Sequence, residues 1–141
     1  MNILYINTAG DEAKIGLIEE SNSKFITFGP KQKFSEKLLS KIDKLLKDSN
    51  VNPQKLSAVA VFRGPGSFTG LRIGIATANA LAFSLNISVI EISETNLKNL
   101  PQKIIQKFCS KKFTKIVTPF YGRPPHITRP KKKKASNKLV G

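Results

Sequence analysis

The sequence predicts an α/β domain, a mixed sheet with helices in the order β-β-β-α-β-α-β. Three observations predict it. Short apolar runs at Asn2–Thr8, Leu56–Gly64 and Ile87–Ser93 read as buried strands. One helical stretch separates the last two runs, so strand, helix and strand follow one another and imply a right-handed parallel crossover. A chain of 141 residues with 40% hydrophobic and 8% aromatic side chains suits one domain with a core of its own.

Taken in order, "NILYINT" is isoleucine-rich and short, as a buried strand is, and Ala9, Gly10 and Asp11 turn the chain after it. "AKIGLIEE" and "SKFITFG" form a hairpin around Ser21–Asn22–Ser23, so three antiparallel strands open the chain. In "FSEKLLSKIDKLLKDSN", Phe34, Leu38, Leu39, Ile42, Leu45 and Leu46 recur at helical spacing. Ser35 is the expected N-cap, with a Phe34–Leu39 staple across it, and Asn50 and Pro53 end the helix. "LSAVAVFRG" lacks alternation and suits a central strand covered on both faces. "ISVIEIS" is a further short strand. Beyond Ser93, Glu94–Leu100 suits a short helix, "PQKIIQKFCSKK" a helix with Pro101 in its first turn, and "KIVTPFYG" an edge strand. From Arg123 onward, prolines and a lysine run suggest an extended, then disordered tail.

The stretch Gly64-Pro65-Gly66-Ser67-Phe68-Thr69-Gly70 joins a strand to a helix. Its glycines suit a sharp reversal, Ser67 or Thr69 suits a cap, and a helix start offers N–H groups to an anion. A Walker A loop would need Lys-Ser/Thr where Leu71-Arg72 stand. Glu91 sits where a ribose-binding acid would, but the glycine spacing is one residue too long for a dinucleotide fingerprint. Along the helix, Gly70, Gly74, Ala78 and Ala82 recur every fourth residue, flanked by Leu71, Ile75, Leu81 and Leu85. A mid-helix glycine costs about 1 kcal/mol against alanine, so close approach by another backbone is expected to offset it. The opposite face, Ile73, Ala76, Ala80 and Phe83, is apolar as well, so both faces need cover. The small-residue face is the one assigned to contact with another helix, internal or from a partner, and the other to the chain's own sheet. Arg63 and Arg72 suit carboxylates or phosphates nearby, or a plain surface.

Charge divides the chain. Residues 1–97 hold 11 Lys/Arg against 9 Asp/Glu, whereas residues 98–141 hold 13 Lys/Arg and no acid. That asymmetry suits a polyanionic partner, RNA first, or a solvated tail. The single cysteine, Cys109, allows no internal disulfide, which fits a reducing compartment, and it reads as a half-buried helix residue. No basic leader precedes "MNILYINTAGDEAK", and no run reaches the ~18 apolar residues of a membrane helix, so a cytoplasmic protein with no membrane partner is expected. Candidate catalytic groups are sparse. His126 is the sole histidine and lies in the tail, Asn7 is a weak magnesium ligand, and Asp11 suits a turn. No catalytic residue, metal ligand or cofactor site is assigned.

The element order resembles the ribonuclease-H-like half of the actin-like superfold. The stretches "ILYINTAG", "KFSEKLLSKIDKLL" and "AVAVFRGPGSFTGLRIGIATANALAFSLNISVIEIS", with "GPGSFTGLRIG" close to a signature, resemble the TsaB (YeaZ) family. That family is the non-catalytic, TsaD-like part of bacterial tRNA threonylcarbamoyladenosine synthesis, filed with the M22 glycoprotease-like group. The resemblance covers residues 1–97 and resumes in "PFYGRPPHITRPKKK". It implies a scaffold that pairs with TsaD, with TsaE joining, through the helices at Ser35–Asp48 and Gly70–Leu85. The interface then falls on Leu39, Ile42, Leu46, Gly70, Leu71, Gly74, Ile75 and Ala78, and the same helices could serve a homodimer.

The family has a second lobe, and residues 98–122 are expected as its remnant, with 123–141 a basic tail. Arg129, Lys131, Lys132, Lys133 and Lys134 are candidate tRNA contacts. Asn7 and Phe34 depart from the family's usual Asp and His, and the short C-terminal part bears more on TsaE recruitment than on TsaD pairing. The alternatives are a free-standing RNA-binding protein, or a small nucleotide hydrolase or peptidase.

Overall fold

A computed structural model describes residues 1–93 and 98–120. Five strands form one sheet: β1 (Ile3–Asn7), β2 (Ala13–Ile18), β3 (Ser23–Phe28), β4 (Ala58–Phe62) and β5 (Ser88–Ile92). Their spatial order is β3-β2-β1-β4-β5. The first three pair antiparallel, while β1, β4 and β5 run parallel. The expected mixed α/β sheet is therefore the observed one.

Helix α1 (Phe34–Asp48) carries the chain from β3 to β4, and α2 (Phe68–Leu85) carries it from β4 to β5. Both crossovers advance across the sheet in the same direction. Right-handed connections then place both helices on one face, where they touch each other. Pairing register and the period of two assign that face to Leu4, Ile6 and Thr8 of the β1 end, with Val59 and Val61 beside them. Phe28 meets Phe34 of α1 there, ring centroids 5.9 Å apart. The opposite face carries Ile3 and Tyr5, with Gly16, Phe25, Ala60 and Ile90 in the row of Tyr5. Phe25 lies across Gly16, where a side chain would collide with its ring, and meets Tyr5 edge-on at 6.4 Å. All five residues of β4 are buried, as the run without alternation predicted.

Two helix details differ from expectation. A 3-10 turn at Lys31–Lys33 feeds α1 directly, so Lys33 holds the N-cap position without a side-chain cap, and Ser35 lies inside the first turn. The Phe34–Leu39 staple does not form: Phe34 is fully buried beneath the helix, whereas Leu39 points outward and is 59% exposed.

The C-terminal part packs on the same sheet. Helix α3 (Leu100–Cys109) begins with Pro101 in its first turn and buries Leu100 and Ile104; it ends before Ser110, and its last residue, Cys109, is exposed rather than half-buried. Lys111 follows in a left-handed conformation, φ 56°, closed by main-chain bonds from Lys111 to Phe108 and from Lys112 to Lys107. The expected edge strand reduces to a single bridge, Val89 to Thr114. Most of Glu94–Leu100, together with His126, Arg129 and Lys131–Lys134, lies outside the described residues.

By length and composition α2 could cross a membrane. Its two ends run into the neighbouring parallel strands β4 and β5, and its inner face packs on β1, β4 and β5. The apolar composition of that inner face is thereby explained.

Candidate partner interface

The glycine turn sits at the carboxyl ends of β1 and β4, where open parallel sheets place their binding crevices. Here that space is filled by the chain itself. The Ser67 amide donates to the Ala9 carbonyl at 2.9 Å, which joins the turn to the end of β1. The Ser67 hydroxyl accepts from the Gly70 amide at 3.3 Å and caps α2. Of the two expected caps, Ser67 acts and Thr69 lies exposed beside it. Asn7 is occupied as well: its Oδ1 accepts from the Ala9 amide at 2.9 Å, and its Nδ2 donates to Tyr5 Oη at 3.1 Å.

Each glycine of the turn is small because something lies against it. A Cβ on Gly66 would strike Ala9, and one on Gly64 would strike the Phe120 carbonyl. Gly64 also holds φ +120°, which side chains rarely adopt. Pro65 between them is partly buried. Along α2, a Cβ on Gly70 would meet the Thr8 carbonyl oxygen, and one on Gly74 the Thr8 side chain. Thr8, a buried polar residue, donates its hydroxyl hydrogen to the Gly70 carbonyl. The turn thus seats α2 against the end of β1.

This geometry corrects the face assigned to a partner. Gly70, Leu71, Gly74, Ile75 and Ala78 are buried against the chain's own sheet, and Ile42 and Leu46 are buried beneath α1. A side chain inside the core has no surface to offer a second protein. Of the eight predicted interface residues only Leu39 is exposed. The other face of α2 is the free one. Ala76, Ala80 and Phe83 are exposed along it, Ile73 is half-buried, and Phe83 is 89% exposed. Arg72 lies on the same outer side, 5.3 Å from the centroid of the Phe68 ring. Sequence reasoning found both apolar faces and gave the partner the one that the chain's own sheet covers. The missing signal was Thr8, whose partnership with the glycines no local pattern reveals.

Arg63 also has an internal role. Its Nε donates to the Thr118 carbonyl at 3.1 Å, and its guanidinium lies 5.6 Å from the Phe120 ring. The Phe120 amide donates to the Arg63 carbonyl at 2.7 Å. The Asn79 side chain pairs with the Val117 backbone in both senses, each bond 3.0 Å. Residues 114–120 are thereby strapped along α2 to the glycine turn.

Fold and surface define a ribonuclease-H-like lobe with its two crossover helices on one face and an apolar strip left open on the second. The family model described as TsaD, tRNA N6-adenosine threonylcarbamoyltransferase, matches residues 29–107. The tRNA threonylcarbamoyladenosine biosynthesis protein TsaB of Bacillus subtilis is 38% identical over 95 residues, covering 66% of this chain and 41% of that protein. Its Escherichia coli counterpart is 34% identical over 95 residues, covering 66% and 40%. A solved structure of YeaZ from Pseudomonas aeruginosa superposes with TM-score 0.64 at 28% identity, over 77% of this chain and 50% of that one. The chain belongs to this TsaD family and is of the TsaB/YeaZ type. It spans about two fifths of the length of these two TsaB relatives.

Proposed function

We propose that this chain is a non-catalytic pairing subunit in tRNA threonylcarbamoyladenosine synthesis. It docks on a TsaD-type transferase through the outer faces of α1 and α2. The observation that carries the reading is Phe83, 89% exposed at the end of the strip Ile73–Ala76–Ala80. Burying one phenylalanine contributes about 1.5–3 kcal/mol, so a helix face that leaves one bare is suited to a partner. The pathway comes from the names of the relatives. The non-catalytic role is supported by the strand ends, where Asn7, Thr8 and the glycine turn are all engaged with protein groups.

The test is light scattering after size-exclusion chromatography, with the chain alone and mixed with TsaD from the same source. A one-to-one complex lost in Phe83→Glu, with the variant still folded, supports the proposal. A homodimer lost in the same variant, with no TsaD complex, assigns the face to a second copy instead. A chain that ignores TsaD whether or not Phe83 is changed overturns the pairing. TsaE recruitment is read from the same column by adding TsaE to the pair.

A further inference from the structure

We propose a second binding surface, for single-stranded nucleic acid, on the folded segment from the end of α3 to Phe120. It does not rest on the pairing role. Residues 98–141 contain 13 Lys/Arg and no acid, and six of these, Lys98, Lys103, Lys107, Lys111, Lys112 and Lys115, precede Phe120. Lys111, Lys112 and Lys115 are exposed and form no ion pair among the described residues. Apolar groups lie among them: Phe113 is 39% exposed, Ile116 64% and Phe120 46%, the last with Arg63 against its ring. Lysines for the backbone and aromatic faces for the bases are what a single strand requires.

Two further observations support the assignment. The segment is held in place, through Asn79 on Val117 and Arg63 on Thr118, so its side chains are presented on a fixed track. In addition, Lys111 occupies a left-handed position. Among the described residues, the three other non-glycine positions at positive φ, Asn50, Asn86 and Asn99, are asparagines, the type that suits it. Lys111 thus puts a positive charge at the helix end, where asparagine would suit the backbone better. The surface does not suit a lipid bilayer, because α3 turns its apolar side, Leu100 and Ile104, inward.

The full chain is titrated into fluorescein-labelled 20-nucleotide single-stranded RNA and DNA, followed by anisotropy across a salt series. Binding of either strand that weakens steeply with salt is expected. Lys111→Glu, Lys112→Glu and Lys115→Glu together weaken it about tenfold or more and flatten the salt slope. Phe113→Ala weakens binding to the strand about fivefold or more but leaves heparin binding nearly unchanged, and Phe113→Tyr restores it. Lys111→Asn separates this role from a structural one: it raises the melting midpoint while weakening binding. All variants are checked for folding by circular dichroism. The proposal is overturned if neither strand binds at low salt. It is also overturned if substituting Lys131–Lys134 with glutamine removes all binding while the segment variants do not change it. Binding of the chain to phosphatidylglycerol vesicles in place of either strand would overturn it too.

Discussion

Thr8 and Gly74 share one volume: the Thr8 side chain stands where a Cβ on Gly74 would be. Its hydroxyl is meanwhile bonded to the Gly70 carbonyl one turn earlier. The small-residue stripe of α2 is therefore the seat of the helix on the end of β1, and its spacing follows from one buried threonine.

Substitution of these glycines should rank by what each would strike. Gly70→Ala meets a backbone oxygen, which cannot turn away, whereas Gly74→Ala meets a side chain with some rotamer freedom. Alanine returns about 1 kcal/mol of helix propensity at either site, against an overpacking cost of about 1–3 kcal/mol. Urea denaturation should show Gly70→Ala as the more destabilised. Gly74→Ala should be partly rescued by Thr8→Ala in a double-mutant cycle. Equal losses without coupling would refute the shared-volume account.

The two faces of α2 should separate stability from pairing. Leu71→Ala and Ile75→Ala empty buried volume and should cost about 2–5 kcal/mol. Phe83→Ser and Leu39→Ser, on exposed positions, should stay within about 0.5 kcal/mol of the parent. Thermal melts of the four variants decide it, and a large loss for Phe83→Ser would place that ring in an internal contact.

Capping distinguishes the two serines that sequence reading treats alike. Ser67→Ala removes the bond to the Gly70 amide and should cost about 1 kcal/mol. Ser35→Ala lies within the first turn of α1, behind a 3-10 entry, and should leave the denaturation midpoint in place.

Tyr5 should make folding sensitive to strong alkali. Burial pushes its phenol up from 10.0 to about 12, with the Asn7 bond pulling weakly the other way. The folded value lies above the unfolded one, so the stability tied to neutral Tyr5 is fully present below about pH 10 and is lost as pH rises through about 12. The loss amounts to about 2–3 kcal/mol, from about 1.4 kcal/mol per pKa unit. Denaturant midpoints measured between pH 9 and 12 should fall more steeply for the parent than for Tyr5→Phe. Parallel curves would remove Tyr5 as the cause.

Releasing Asn79 should loosen the strap without melting the sheet. Asn79→Ala deletes both bonds to Val117. Amide exchange should accelerate at Val117 and Thr114 while Ile6 and Val61 keep their protection. Acceleration throughout the sheet would show that the strap is part of the global fold.

The sequence by itself determined the five strands, the helices α1 and α2, and their order. Isoleucine- and valine-rich runs leave little choice but buried strands, and the spacing of Phe34, Leu38, Ile42, Leu45 and Leu46 determines which side of α1 is inward. It also determined the charge asymmetry, which is a property of composition alone. Tertiary structure alone decided which of the two apolar faces of α2 is covered. Both were apolar, so hydropathy could not choose. The choice came from Thr8, 66 residues before Gly74 in sequence and in contact with it only because β1 and β4 pair in parallel. The same holds for Asn79 on Val117 and Gly64 under Phe120. Periodicity reports what lies within a few residues, whereas these contacts join segments that come together only when the sheet has closed.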